Sequence, residues 1–299
     1  MNPISPIHES ISKPDSGSLL SRIHSLCGFI RHYPLGTLGI VILALIMIAA
    51  IFSSPLAPAD PLRQNLRARL SLPSASNILG TDEFGRDILS RLIFGARISL
   101  TIVVGANALA GVTGVALGVV TGYYGGVIDF LGMRPLDVFL AFPGILLAIA
   151  IVAVIGPGLV NITIAVALFS FPVYARVARS VALSLREKDF VLAARSLGAS
   201  DTRIILRHIL PNSIGSLLVI LCVQIADSLL TASGLSFLGL GAPPYVPEWG
   251  SMLSSARPYM LLHPHVILFP GFAIALAVMA FNLIGQMLTD FADPFKRRR

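Results

Sequence analysis

Six long apolar segments dominate the chain, and charged or turn-forming residues separate them. They cover residues 35–56, 98–120, 136–155, 159–174, 214–240 and 266–288, and the fourth is expected to continue toward residue 181. A helix needs about 20 mostly apolar residues to cross the hydrocarbon core of a bilayer. The pattern therefore predicts an all-α membrane protein with about six transmembrane helices.

Glycine spacing adds two predictions about how these helices pack. Only a Gly-Pro-Gly turn at 156–158 separates the third and fourth segments, which indicates an antiparallel hairpin. In the second segment Gly114, Gly118 and Gly122 recur every fourth residue. Small residues at this spacing allow a neighbouring helix to approach closely, although glycine is also common in membrane helices generally.

The same pattern divides the chain into parts. Apolar positions within 19–30 recur at helical spacing, which fits a helix lying in the membrane interface or one packed on its own protein. The predicted parts are a cytoplasmic tail with an interfacial helix (1–34), a first transmembrane helix (35–56), an outer loop (57–97), a five-helix core (98–290) and a basic cytoplasmic tail (291–299).

Composition agrees with a membrane location and excludes several classes of protein. Hydrophobic residues make up 55% of the chain and charged residues 12%, whereas soluble domains carry roughly 25% charged residues. The net charge of +7 resides in loops beside apolar segments, with no basic groove of interleaved aromatics, so no nucleic-acid partner is expected. Cys27 and Cys222 have no partners at metal-ligand spacing, so neither a disulfide nor a metal site is predicted.

The distribution of lysine and arginine predicts the orientation in the membrane. Cytoplasmic loops carry an excess of these residues, and the excess is obtained when both termini are placed in the cytoplasm. The Lys-Arg-Arg-Arg run at 296–299 is the clearest anchor, whereas the arginines of the 57–97 loop argue weakly against this orientation.

A charged stretch between the fourth and fifth segments differs from its surroundings. Residues 189–197 predict a short helix that Gly198 ends, Ser200 or Asp201 can cap a second helix, and Pro211 marks the return to the membrane. Such a helix cannot be buried in lipid. Its apolar positions indicate a surface that docks on a partner, namely Phe190, Val191, Ala194 and Leu197.

At these residues the chain resembles the membrane subunits of bacterial ATP-binding cassette (ABC) importers. Their cytoplasmic signature is Glu-Ala-Ala, three residues, Gly, nine residues, then Ile-x-Leu-Pro. Ala193-Ala194, Gly198 and Leu210-Pro211 stand at matching places, whereas Leu192 replaces the Glu and His208 the Ile. The form of 207–212 and the blocks at 79–87, 95–100, 122–126, 235–241 and 249–250 resemble the dipeptide, oligopeptide and nickel branch.

The resemblance implies a type I ABC importer permease fold in which residues 186–212 form a coupling segment seated in a groove of an ATPase subunit. Its implied partners are a second homologous permease, two ABC subunits, a solute-binding protein and membrane lipid, and its implied location is the bacterial inner membrane. The implied cargo is a di- or oligopeptide, with nickel or another small solute as the alternative. The coupling residues that it implies are Asp189, Phe190, Ala193, Ala194, Gly198, His208, Leu210 and Pro211.

The chain itself is not expected to hydrolyse ATP. A phosphate-binding loop needs Gly-Lys followed by Ser or Thr, and none of Lys13, Lys188 and Lys296 follows a glycine. ATP and magnesium are therefore expected on partner ATPase chains, with no cofactor bound by this chain.

Two further features are candidate sites within the membrane and the loops. Asp227 lies in the fifth apolar segment with Gln224 one turn before it. An ionisable residue there is a candidate for the translocation path, for a polar bond between helices or for a position near the outer interface. His263 and His265 flank a proline in the last loop, where a solvated role is expected rather than metal binding.

Other classes of membrane protein are less well matched by the sequence. A secondary transporter would show internal repeats with broken helices, a channel a filter sequence, and an intramembrane enzyme a nucleophile or metal motif. Of these, the secondary transporter is kept as the alternative to the ATP-driven importer. The charged helix-turn at 189–211 is required only by the ATP-driven importer.

Overall fold

A computed structural model describes residues 33–292 of the chain; the predicted interfacial helix at 19–30 and the basic run at 296–299 lie outside them. The described part is helical, with a single isolated β-bridge between Thr81 and Asp87. Its principal helices are α1 (Pro34–Ile51), α2 (Ile88–Tyr124), α3 (Gly126–Leu140), α4 (Gly144–Ile155), α5 (Leu159–Arg186), α6 (Asp189–Ser196), α7 (Asp201–Phe237), α8 (Trp249–Ala256) and α9 (His265–Ala292).

Five of these helices are long and apolar enough to cross a bilayer, and the α3–α4 pair makes a sixth span if it counts as one. The prediction of about six spans is therefore confirmed in number, but the third one is broken. A 93° bend separates α3 from α4, where the sequence pattern predicted one straight segment over 136–155. Pro143 explains the break, because the residue before a proline disfavours the helical conformation.

The second helix also begins ten residues before the predicted start at 98. Asp87 caps α2, because its carboxylate accepts hydrogen bonds from the Ser90 N–H (2.8 Å) and hydroxyl (2.7 Å). Residues 88–97 thus continue the helix beyond the predicted apolar segment, which did not include them because Arg91 and Arg97 interrupt their apolar residues.

The fifth span differs from its prediction at Pro211, because the chain does not break there. Helix α7 runs from Asp201 to Phe237 through a π-helical turn over Ile205–Ile209. Proline has no N–H to donate, and a π turn directly before it is one way in which a helix accommodates the missing bond. The Ser213 hydroxyl donates to the Ile209 carbonyl (2.8 Å) at the end of this turn.

Close packing of α2 on α5 forms the centre of the bundle, as the glycine spacing predicted. A Cβ atom at Gly114 would lie 2.8 Å from the Phe171 carbonyl oxygen, and one at Gly122 would lie 2.6 Å from that of Arg179. Gly118 is closer still, against the Ala175 backbone. The Gly-Pro-Gly turn joins α4 to α5, with positive φ at Gly156 (90°) and Gly158 (140°), which confirms the predicted hairpin connection.

Buried polar contacts close the end of the bundle opposite α6. Asp82 accepts from Arg86 Nε (2.6 Å) and lies 3.4 Å from Arg91 Nε, and both arginines are buried. Glu248 caps α8 by accepting from the N–H groups of Gly250 (2.8 Å) and Ser251 (2.7 Å). Burial raises the pKa of Glu248 above its ordinary value, and those N–H donors oppose the shift.

Candidate functional site

The short helix α6 ends where the sequence predicted, in a Schellman motif. Gly198 has φ +78°, its N–H donates to Arg195 O (3.0 Å), and the Ala199 N–H donates to Ala194 O (3.1 Å). This pair of bonds reverses the chain so that α6 and the start of α7 lie side by side. The turn requires glycine, since other residues adopt this φ only at a cost.

The apolar positions of α6 do not form one docking surface, which corrects the prediction made from them. Val191 is fully buried, packed with residues of α2, α5 and α7 in the chain's own core, and Ala194 packs against the same cluster. Phe190 and Leu197 instead face outward, and Leu197 is 88% exposed. The free apolar surface is therefore narrower than predicted, because one side of an eight-residue helix already anchors it.

The other candidate coupling residues divide between α6 and the first turns of α7. The Phe190 and His208 rings lie 6.4 Å apart between centroids, so the structure brings these two together. Leu210 lies two residues further along α7 and is half-buried. The exposed members of the set are Asp189, Phe190, Ala193, Gly198 and Pro211.

A side-chain cluster that sequence reasoning missed connects this segment to α2. The Tyr123 hydroxyl, in the last turn of α2, donates to Asp201 Oδ1 (2.6 Å) at the start of α7. Arg195 of α6 donates to the same hydroxyl (3.3 Å), and its guanidinium lies 5.7 Å from the Tyr123 ring centroid. Arg186 adds a bond to the Gly122 carbonyl (3.2 Å). We will call Tyr123, Asp201, Arg195 and Arg186 the tyrosine cluster.

Ion pairs hold α3 against α5 at the same end of the molecule. Arg179 and Asp129 form a two-point contact, with Nη2 to Oδ2 at 2.5 Å, and Arg176 donates to Asp137 (2.8 Å). Bidentate arginine–carboxylate pairs fix orientation as well as distance. Arg176 and Arg179 therefore bind α5 to α3.

The two candidate path residues lie in different environments, although they are one turn apart on α7. Gln224 is 5% exposed, and its Nε2 has no hydrogen-bond partner within residues 33–292. Asp227 is exposed on the outer surface of the chain beside Val223. Asp227 lies ten residues before Phe237, or about 15 Å along the helix, which is near the middle of a span of about 30 Å.

A buried polar network joins three spans next to Gln224, and no sequence pattern indicates it. Tyr174 of α5 donates to Asn107 Oδ1 of α2 (2.8 Å), and Asn107 Nδ2 donates to Ser228 of α7 (2.9 Å). Ser170 lies 3.3 Å from the same serine. Polar bonds between membrane helices contribute about 0.6 kcal/mol each on average, so the network orients α2, α5 and α7 more than it stabilises them.

The solvated role predicted for the histidines at the start of α9 is wrong for His265, which is buried. His263 and His265 have ring centroids 6.1 Å apart, and His265 is buried against the loop at Gly80. No group of three or more His, Cys, Asp or Glu side chains that could hold a metal ion occurs within residues 33–292.

Comparisons with known proteins agree with this architecture. Residues 114–298 match the family described as "Binding-protein-dependent transport system inner membrane component". The dipeptide transport system permease protein DppC of Alkalihalophilus pseudofirmus is 45% identical over 260 residues, which cover 87% of this chain and 86% of the relative. The glutathione transport system permease protein GsiD of Pectobacterium atrosepticum is 46% identical over 267 residues, covering 89% and 88%.

A solved structure shares the fold. A chain of the MetNI methionine ABC transporter, in an inward-facing conformation, superposes with a TM-score of 0.52 at 16% identity, covering 67% of this chain and 97% of that one. The chain is therefore a multi-pass membrane protein and belongs to the binding-protein-dependent transport system inner-membrane component family, as a non-enzymatic permease subunit of an ABC importer.

Proposed function

We propose that this permease imports di- or oligopeptides, with a second homologous permease, two ATPase subunits and a solute-binding protein as its partners. The names of its relatives support peptide cargo, since they are described as dipeptide and glutathione permeases. Nickel or another small solute is the alternative. Both termini lie in the cytoplasm of a bacterial inner membrane in this proposal, as the lysine and arginine bias predicts.

The observation that best supports the ATP-driven mechanism is that one side of α6 is exposed while its other side is attached to the transmembrane helices. Its outward residues Phe190 and Leu197 offer apolar surface to the ATPase. The partner ATPase, rather than this chain, would bind ATP and magnesium. Buried Val191 and the tyrosine cluster then connect α6 to α2 and α7. A displacement of α6 would therefore move helices that hold the buried polar network.

The energetic logic of coupling follows from this connection. An ATPase pair that docks α6 differently in its two states favours one permease conformation by the difference in docking free energy. If α6 docked with the same free energy in both ATPase states, the equilibrium between permease conformations would not change. The tyrosine cluster makes the connection stiff, because three elements share bonds to one hydroxyl group.

The experiment that tests the proposed assembly is purification of the tagged chain from its native membrane in mild detergent, followed by mass spectrometry. We expect a second permease and ATPase chains, and transport of labelled peptide by the reconstituted complex when ATP and a binding protein are supplied. Recovery of the chain alone or only with copies of itself, in several detergents, would favour a secondary transporter.

Asp227 is proposed to line the translocation path, where the second permease covers this face of α7. A charged carboxylate at the centre of a membrane helix costs about 2.5–3.5 kcal/mol if it faces lipid. The exposed position of the Asp227 side chain is therefore best explained if it faces water or protein rather than lipid. There it can accept a hydrogen bond from the amino group of a passing peptide.

Replacing Asp227 with Asn should lower transport of peptides with a free amino terminus by about tenfold, since a hydrogen bond to a charged group contributes about 1.5 kcal/mol or more. Transport of N-acetylated peptides should change little. Uptake of both peptide classes in reconstituted vesicles measures this, with Asp60→Asn in an exposed loop as the control. An equal loss for both peptide classes would remove the assigned role.

A further inference from the structure

Arg97 lies on α2 between two apolar grooves of the transmembrane surface. The first groove, of about 570 Å³, separates α2 from α1 and is lined by Met47, Ile51, Leu100 and Val104. The second, of about 410 Å³, separates α2 from α5 and is lined by Ile98, Ile102, Leu159 and Val160. Arg97, Thr101 and Gly105 border both grooves, so they form a ridge between them.

The depth of Arg97 follows from the length of α2. From Arg97 to Tyr124 the helix rises about 40 Å at 1.5 Å per residue. That is close to the full thickness of a bilayer with its headgroups, about 40–45 Å. Tyrosine at the far end is typical of a membrane interface. Arg97 therefore lies among the headgroups of the opposite leaflet, at the level where α1 ends at Ile51 and α5 begins at Leu159.

The charge of Arg97 is unpaired within this part of the chain. Its side chain is exposed, and no carboxylate of residues 33–292 forms an ion pair with it. The Thr101 hydroxyl donates only to the backbone carbonyl of Arg97 (2.7 Å), and the guanidinium makes no hydrogen bond within residues 33–292. A cation at headgroup depth, with apolar channels on both sides running toward the membrane centre, matches a phosphate with two acyl chains.

We propose that this ridge binds one diacyl phospholipid, with its phosphate on Arg97 and one acyl chain in each groove. Gly105 is essential to the shape, because it has no side chain where the two grooves meet. An anionic headgroup such as phosphatidylglycerol is favoured over a zwitterionic one, since no acid of the described range offsets the arginine. Bound there, the lipid would fill the clefts that separate α2 from both α1 and α5.

The test is native mass spectrometry of the assembled, delipidated transporter titrated with dioleoyl phosphatidylglycerol. Arg97→Gln should weaken binding by about fivefold, the usual contribution of one basic side chain at a membrane surface. Arg63→Gln, which removes an exposed loop arginine lining neither groove, should not. The single-chain lysophosphatidylglycerol should bind the wild type more weakly than the diacyl lipid.

A second variant keeps the charge of Arg97 but places a side chain at residue 105, where the two grooves meet. Gly105→Leu should reduce diacyl binding without unfolding the chain, because a Cβ there meets only Thr163 at 3.6 Å. Ala108→Leu, at an exposed position on the same helix, is its control. Unchanged lipid binding in Arg97→Gln and Gly105→Leu would overturn the proposal. So would loss of the second permease from Arg97→Gln, since a protein partner would then cover this surface.

Discussion

Replacing Gly118 with alanine should destabilise the bundle by about 1–3 kcal/mol or more, the usual cost of overpacking a tight interior. The added methyl group would overlap the Ala175 backbone carbonyl of α5 and lie 2.8 Å from the Ala178 Cβ. Neither neighbour is the flexible end of a side chain, so α2 and α5 would have to separate. Thermal unfolding of the purified complex and the amount of chain in the membrane both measure the effect.

Gly111→Ala is the matched control, because it makes the same chemical change on the same helix. A Cβ at Gly111 would meet the Tyr174 ring at 3.8 Å, which is ordinary van der Waals contact. We expect its unfolding temperature to stay near that of the wild type. Similar stability for the two variants would show that the α2–α5 approach is looser than the structure indicates.

The regularly spaced glycines Gly114, Gly118 and Gly122 also show why part of the fold was predictable from sequence. Apolar length, glycine spacing and the Gly-Pro-Gly turn are local signals, so the number of spans, the hairpin and the Gly198 turn were predicted correctly. The break between α3 and α4 was missed although Pro143 lies within it. A single proline in an apolar run either kinks a helix or starts a new one, and the pattern alone does not distinguish these outcomes.

The contacts that connect the sites were not predictable, because their partners are far apart in sequence. Tyr123 and Asp201 are separated by 78 residues, and Asn107 and Ser228 by 121. Asn107 and Ser228 have no motif around them, and the block at 122–126 that contains Tyr123 does not identify Asp201 as its partner. Only the packing of α2 against α5 and α7 brings them together.

The dependence on contacts between distant residues also explains why two predictions about the coupling segment were wrong, namely the docking surface of α6 and the boundary at Pro211. The apolar spacing of α6 identified residues that become buried, but it did not say whether this chain or a partner buries them, and Val191 proved to be in the chain's own core. Pro211 was interpreted as a boundary because proline usually ends helices. The π turn before it keeps α7 continuous from Asp201 into the membrane.

Because α7 is continuous into the membrane, a change in the turn between α6 and α7 should have a large effect on transport. We expect this effect from Gly198→Val. A β-branched residue is strongly disfavoured at φ +78°, at a cost of about 1–2 kcal/mol. No atom lies within 4 Å of a Cβ built at Gly198, so the strain acts on the α6 turn rather than on the bundle. We expect normal assembly with partners, but ATP-driven transport reduced at least tenfold while ATP hydrolysis continues.

The chain offers a close control at the other end of α7. Gly239 has φ +82°, follows the last turn of that helix, and has the same hydrogen bonds, Gly239 N–H to Ser236 O (2.9 Å) and Leu240 N–H to Leu235 O (3.0 Å). A Cβ there also meets nothing within 4 Å. Gly239→Val therefore introduces similar strain in a Schellman turn far from α6, and its ratio of transport to ATP hydrolysis should stay near the wild-type value.

Gly198→Asn separates the two ways in which the glycine can matter. Asparagine tolerates positive φ better than other side chains, so this variant keeps the turn but adds a side chain on its outer surface. If only the valine variant loses transport, the conformation of the turn carries the coupling. Loss in both variants means that the ATPase packs directly on Gly198. Wild-type transport in Gly198→Val would contradict the assignment of α6 as the coupling helix. Equal losses of transport in Gly198→Val and Gly239→Val would also contradict it, because the effect of the strain would then not depend on α6.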